Sequence, residues 1–129
     1  MILDTTFIID LLRKDPASVE KAASLQRSGE PVLATAVSVF EVWQGAVDLK
    51  DVEKRRKIES LLSSIGLLPL DCDCAKEAGR VHDECYRRGV PIDPEDSMIA
   101  GIALTHGQAV LTRNVKHFRQ VRGLSVETY

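Results

Sequence analysis

The chain opens MILDTTFIIDLL, which sets Asp4 directly behind an apolar start and in front of two hydroxyls, Thr5 and Thr6. A carboxylate at the end of a buried strand is costly unless it is hydrogen-bonded, paired or metal-bound. Two more acids, both on helices, are candidates to join it. Glu41 lies in VSVFEVWQGAV, where Val39, Val42, Trp43 and Ala46 recur at core-facing helical spacings and Glu41, Gln44 and Asp48 form the adjoining polar stripe. Asp96 lies in IDPEDSMIAGIALTHG, with Ile99, Ala100 and Ala103 at i+3, i+4 and i+7 on its own face. Each has a plain structural account when taken alone. Asp4 caps the helix that follows it, Glu41 is an exposed helical acid, and Asp96 offsets the helix dipole from the first turn, with Asp93 as the N-cap. Brought together, however, three carboxylates repel one another unless a cation sits between them. Hard oxygen donors suit Mg²⁺ or Mn²⁺ rather than zinc, and the chemistry such a cluster serves is metal-assisted hydrolysis of a phosphodiester.

The elements that must position these acids alternate between short apolar segments and longer helical patterns. Strands are expected over 1–3, 31–34, 67–70, 109–112 and 124–126. Helices are expected over 6–13, 16–27, 36–47, 51–63, 73–88, 94–106 and 115–119. Pro16 and Pro94 suit first helical positions behind Asp15 and Asp93, Thr35 is a plausible N-cap, and Gly29, Gly89 and Gly107 mark helix ends. Strands separated by helices imply an α/β fold, a parallel sheet covered on both faces with right-handed crossovers. Ligands bind such sheets beyond the carboxyl ends of the strands. That rule singles out residues 4–6, Thr35 and the Arg113-Asn114 pair. It brings Asp4 and Asp96 to one edge, with Glu41 about a turn into a helix at the same edge.

On these residues the chain resembles the PIN-domain ribonucleases, and among them the VapC-like toxins of toxin–antitoxin pairs. ILDTTFIIDLL, TAVSVFEVWQGA, EDSMIAGIALTHGQAVLTRNVKHF and GLSVETY carry the resemblance, in order and over nearly the whole chain. The resemblance implies a three-layer α/β/α sandwich and cleavage of RNA dependent on Mg²⁺ or Mn²⁺. Its acidic cluster falls on Asp4, Glu41 and Asp96. Thr6 takes the position that supports the first acid, and Arg113 and Asn114 the loop after the fourth strand. Many relatives carry an Asp at the position of Asn114; others with Asn there carry an Asp at the position of His117. The neutral side chains here put a second metal in question. Arg113 and Lys116 would flank the pocket and neutralise RNA phosphates. The resemblance also implies a cognate antitoxin that covers the site, and a homodimer.

Length and composition agree with one domain over 1–129. The 129 residues are 44% hydrophobic and 28% charged, with a formal net charge of −2 that argues mildly against a simple polyanion binder. Basic residues cluster at 54–57, at Arg87-Arg88, and along Arg113, Lys116, Arg119 and Arg122; solvated helix faces account for each cluster alone. Three cysteines do not make a disulfide framework, no apolar run is long enough to span a membrane, and nothing at the start reads as a signal peptide, so the cytoplasm is expected. Cys74, Ala78, Val81 and Cys85 fit one buried helical face, which disfavours a zinc reading of Cys72, Cys74, His82 and Cys85. Trp43 reads as core or interface, and Asp10 as a helix residue on the side away from the acids. Two other functions compete. One is a phosphoacceptor receiver domain using Asp71 after a third central strand. The other is a weakly catalytic RNA-binding protein, motivated by Asn114.

Overall fold

The computed structural model describes residues 1–48 and 50–129. Five short strands, β1 Ile2–Leu3, β2 Leu33–Thr35, β3 Gly66–Leu68, β4 Val110–Leu111 and β5 Val126–Glu127, pair in the order β3-β2-β1-β4-β5. All four pairings are parallel. Around them lie α1 Thr5–Leu12, α2 Pro16–Ser28, α3 Ala36–Gln44, α4 Val52–Ser64, α5 Cys72–Arg87, α6 Pro94–Thr105 and α7 Val115–Phe118.

The strand residues sort by parity onto two cores, as the period of two demands. Ile2 and its register partner Val110 face one cluster, which contains Cys74, Val81, Cys85, Ile99 and Ile102 from α5 and α6. Leu3 and its partner Leu111 face the other, with Phe7 and Ile8 of α1 and Leu25 of α2. The result is the expected α/β/α layering, with β1 central. Cys74, Ala78, Val81 and Cys85 are buried on one face of α5. That face packs against α6 so closely that a Cβ built on Gly101 would lie 2.5 Å from the backbone nitrogen of Ala78.

Helix starts are largely written in the sequence. Asp15 accepts from the Ser18 amide at 3.0 Å, Thr35 from the Ser38 amide at 3.0 Å, and Asp71 from the Cys74 amide at 2.9 Å. Asp4 and Asp93 hold the N-cap positions of α1 and α6, but neither side chain makes a capping hydrogen bond. The capping account of these two carboxylates is therefore corrected: both backbones occupy the cap, but neither side chain does the capping, and that of Asp4 takes two threonine hydroxyls instead. Other boundaries shift modestly. The helix expected over 36–47 ends at Gln44 and gives way to a turn. The strand expected over 67–70 is Gly66–Leu68 on the sheet edge, with Leu67 exposed. Asp71 thus follows an edge strand and caps α5, which removes the geometry that a receiver-type phosphoacceptor requires.

Candidate active site

The carboxyl end of β1 delivers Asp4, which is 2% exposed and so depends on partners within the protein. Its amide donates to Leu111 O of β4 at 3.0 Å, which fixes the backbone to the sheet centre. Two hydroxyls converge on one carboxylate oxygen: Thr6 Oγ1 donates to Asp4 Oδ2 at 2.8 Å, and Thr112 Oγ1 donates to it at 2.7 Å. Both hydroxyl oxygens are themselves acceptors. Thr112 Oγ1 takes the Asn114 amide at 2.8 Å, and Thr6 Oγ1 takes the Arg113 amide at 3.2 Å. The loop after β4 therefore points both hydroxyl protons at Asp4 and leaves Oδ1 without a partner among the described residues. The hydroxyls satisfy one oxygen of the buried carboxylate, and the other still calls for a partner.

Glu41 projects from α3, one and a half turns beyond the Thr35 cap, and accepts from Thr5 Oγ1 at 2.7 Å through Oε1. Burial pushes its carboxyl above the usual carboxylate range; the Thr5 hydrogen bond opposes this, while the charges of Asp4 and Asp96 add to it. Asp96, in the first turn of α6, is likewise raised by burial, held back by His117 and raised further by Asp4. The three acids expected from the sequence thus feel one another's charge at the carboxyl edge of the sheet.

The tightest set of ligand atoms is a different one. Among the described residues, Asp93, Asp96 and His117 bring one ligand atom each within 4.8 Å of one another. His117 Nδ1 lies 3.0 Å from Asp96 Oδ2, Asn114 Nδ2 donates to that same oxygen at 3.1 Å, and Asn114 Nδ2 lies 2.9 Å from His117 Nδ1. These three contacts cannot all be hydrogen bonds. A protonated Nδ1 donates to Asp96 and cannot also accept from Asn114.

Arg113 and Lys116 differ in circumstance. Arg113 Nε lies 3.2 Å from Asp10 Oδ2, its Nη2 lies 3.1 Å from Asp15 Oδ2, and its guanidinium sits 4.9 Å from the ring centre of Tyr129. Tyr129 Oη donates to Asp10 at 2.7 Å. Asp10 therefore faces the β4 loop rather than the side away from the acids, correcting the expectation for it. Lys116 is exposed and has no ion-pair partner among the described residues. Sequence reasoning placed Thr5 at the sheet edge but gave it no role, and missed Thr112 and the grouping of His117 with Asp93. Thr112 had a signal, a hydroxyl at the end of a buried strand; the Thr5–Glu41 bond joins two helices far apart in sequence and had none.

The PIN-domain family model matches residues 1–124. The tRNA(fMet)-specific endonuclease VapC of Shigella flexneri is 32% identical over 129 residues, covering 99% of this chain and 96% of its own. Ribonuclease VapC1 of Rickettsia felis is 30% identical over 132 residues, covering 99% and 95%. Among solved structures, a chain in DNA-bound VapBC from Salmonella typhimurium superposes with a TM-score of 0.87 at 27% identity, over 98% of this chain and 96% of that one. With its parallel sheet, its acidic carboxyl edge and a match running almost end to end, the chain belongs to the PIN-domain family and is a VapC-like member of it.

Proposed function

We propose that this protein is a divalent-metal-dependent endoribonuclease, the toxin of a toxin–antitoxin pair, with Asp4, Glu41 and Asp96 as its acidic centre. The observation that carries the reading is the treatment of Asp4. Placed where it should cap α1, its carboxylate is instead clamped by Thr6 and Thr112 and presented with one oxygen open. The donor set suits a hard dication, Mg²⁺ or Mn²⁺, because it is dominated by carboxylate oxygen. When bound, such an ion would activate water and offset charge on the phosphate.

The chain's own residues have separable tasks. Thr6 and Thr112 hold Asp4 in one orientation. Thr5 donates to Glu41 Oε1, and burial raises that carboxyl above the usual carboxylate range, so it holds a proton more readily than a solvated glutamate does. Asn114 supplies a neutral amide to Asp96 where a fourth acid would add repulsion. Lys116 is the cation open to an RNA phosphate, whereas Arg113 must exchange Asp10 and Asp15 for one. A cognate VapB-like antitoxin is the expected partner, by analogy with the complexes in which related chains were crystallised. A homodimer is proposed as well, supported by the exposed Phe40 and Tyr86. The three free cysteines favour the cytoplasm, and no helix among the described residues is long and apolar enough to cross a membrane.

The test is incubation of the purified protein with structured RNA. Cleavage is expected with Mg²⁺ or Mn²⁺ and should stop with chelator. RNA that is bound yet intact at saturating Mn²⁺ would instead favour the non-catalytic RNA-binding reading.

A further inference from the structure

We infer that Asp93, Asp96 and His117 form a mixed nitrogen–oxygen ligand set that makes this site prefer a transition-metal dication to Mg²⁺. The inference rests on the proposed metal dependence and sharpens it. The three side chains already offer one ligand atom each within 4.8 Å of one another. They come from two separately anchored elements. Asp93 and Asp96 sit at the start of α6, whose next turns are fully buried through Ile99, Ala100 and Ile102. His117 sits on α7, pinned by the fully buried Phe118. Asp93 makes no hydrogen bond to the amides of α6, so its carboxylate is free to turn toward an ion.

The charge count also fits. Two carboxylates and a neutral imidazole supply two negative charges for a dication. Asp96 belongs both to this set and to the acidic centre, and its carboxyl feels the charge of Asp4. Donor chemistry sets the preference. Mg²⁺ takes oxygen ligands almost exclusively, whereas an imidazole nitrogen favours first-row transition metals.

The test uses the full chain and Mn²⁺ as the probe, read by electron paramagnetic resonance rather than by activity. Bound Mn²⁺ should show ¹⁴N coupling in electron spin-echo modulation, and that coupling should vanish in His117→Gln. The same variant should bind Mn²⁺ roughly tenfold more weakly, with Mg²⁺ affinity, measured by competition, nearly unchanged. Asp93→Asn should weaken Mn²⁺ binding while retaining the coupling. Circular dichroism of both variants checks that they are folded. Mn²⁺ that binds and supports RNA cleavage without ¹⁴N coupling, or with coupling that survives His117→Gln, overturns the inference and leaves the nuclease reading standing. No Mn²⁺ binding and no cleavage overturns both.

Discussion

Asp4 shows how one residue's position can mislead about its task. At an N-cap position an aspartate normally accepts from the amides of the first turn, a contact worth about 1 kcal/mol. Here two threonine hydroxyls, each oriented by a backbone amide of the β4 loop, hold the carboxylate instead. Thr112→Val removes one of them with little change in shape. It should lower RNA cleavage by roughly 10- to 100-fold, the usual cost of losing a group that orients a metal ligand, with Asp4→Asn no more severe in combination than alone. A second residue-scale expectation concerns pH. Burial raises the carboxyls of Glu41 and Asp96, so the folded state binds protons that the unfolded chain has already lost. Their contribution to stability is therefore greatest at low pH and falls as pH rises through the raised values. Glu41→Gln keeps the Thr5 hydrogen bond without the buried charge. In chelator at pH 7 it should raise Tm, and with Mn²⁺ present it should abolish cleavage; a lowered Tm would contradict the assignment of burial as the dominant cause.

At the scale of elements, much was legible because local rules and tertiary demands agreed. Pro16 behind Asp15, Thr35 before α3 and the apolar face of α5 each announce themselves. Less legible was α6, whose buried positions Ser97, Ile99, Ala100, Gly101, Ile102 and Ala103 run around the helix, because it is enclosed by the sheet, α5 and α7. Gly101 is small so that α5 can approach, a reason invisible in a single sequence. Gly101→Ala would drive a methyl into the Ala78 backbone. It should destabilise the fold by about 1–3 kcal/mol, the usual range for overpacking, despite alanine's better helix propensity. Urea denaturation with an unchanged midpoint would show that the two helices can separate without strain.

For the whole molecule, the sequence pointed to the sheet edge where the acids meet, and the parallel topology explains why acids so distant in the chain meet there. What it could not indicate was how cations are distributed around that edge. Arg113 is absorbed by Asp10, Asp15 and Tyr129, knitting the β4 loop to α1 and residue 129, while Lys116 stays open. Lys116→Ala should therefore weaken RNA binding across sequences and reduce the salt slope of log K by about one ion, whereas Arg113→Ala should lower Tm as well as affinity. Titration of a fluorescent RNA at several salt concentrations separates the two.

Cleavage of RNA by Asp4, Glu41 and Asp96 acting as one metal-holding centre is the activity proposed for this sheet edge. It is tested most directly by single-turnover cleavage of RNA at saturating Mn²⁺, comparing wild type with folded Asp96→Asn. Rapid, chelator-sensitive cleavage is expected of the wild type, with a loss of at least about 100-fold in the variant, since subtracting one carboxylate removes both a ligand and its charge. Cleavage by Asp96→Asn at the wild-type rate would contradict it.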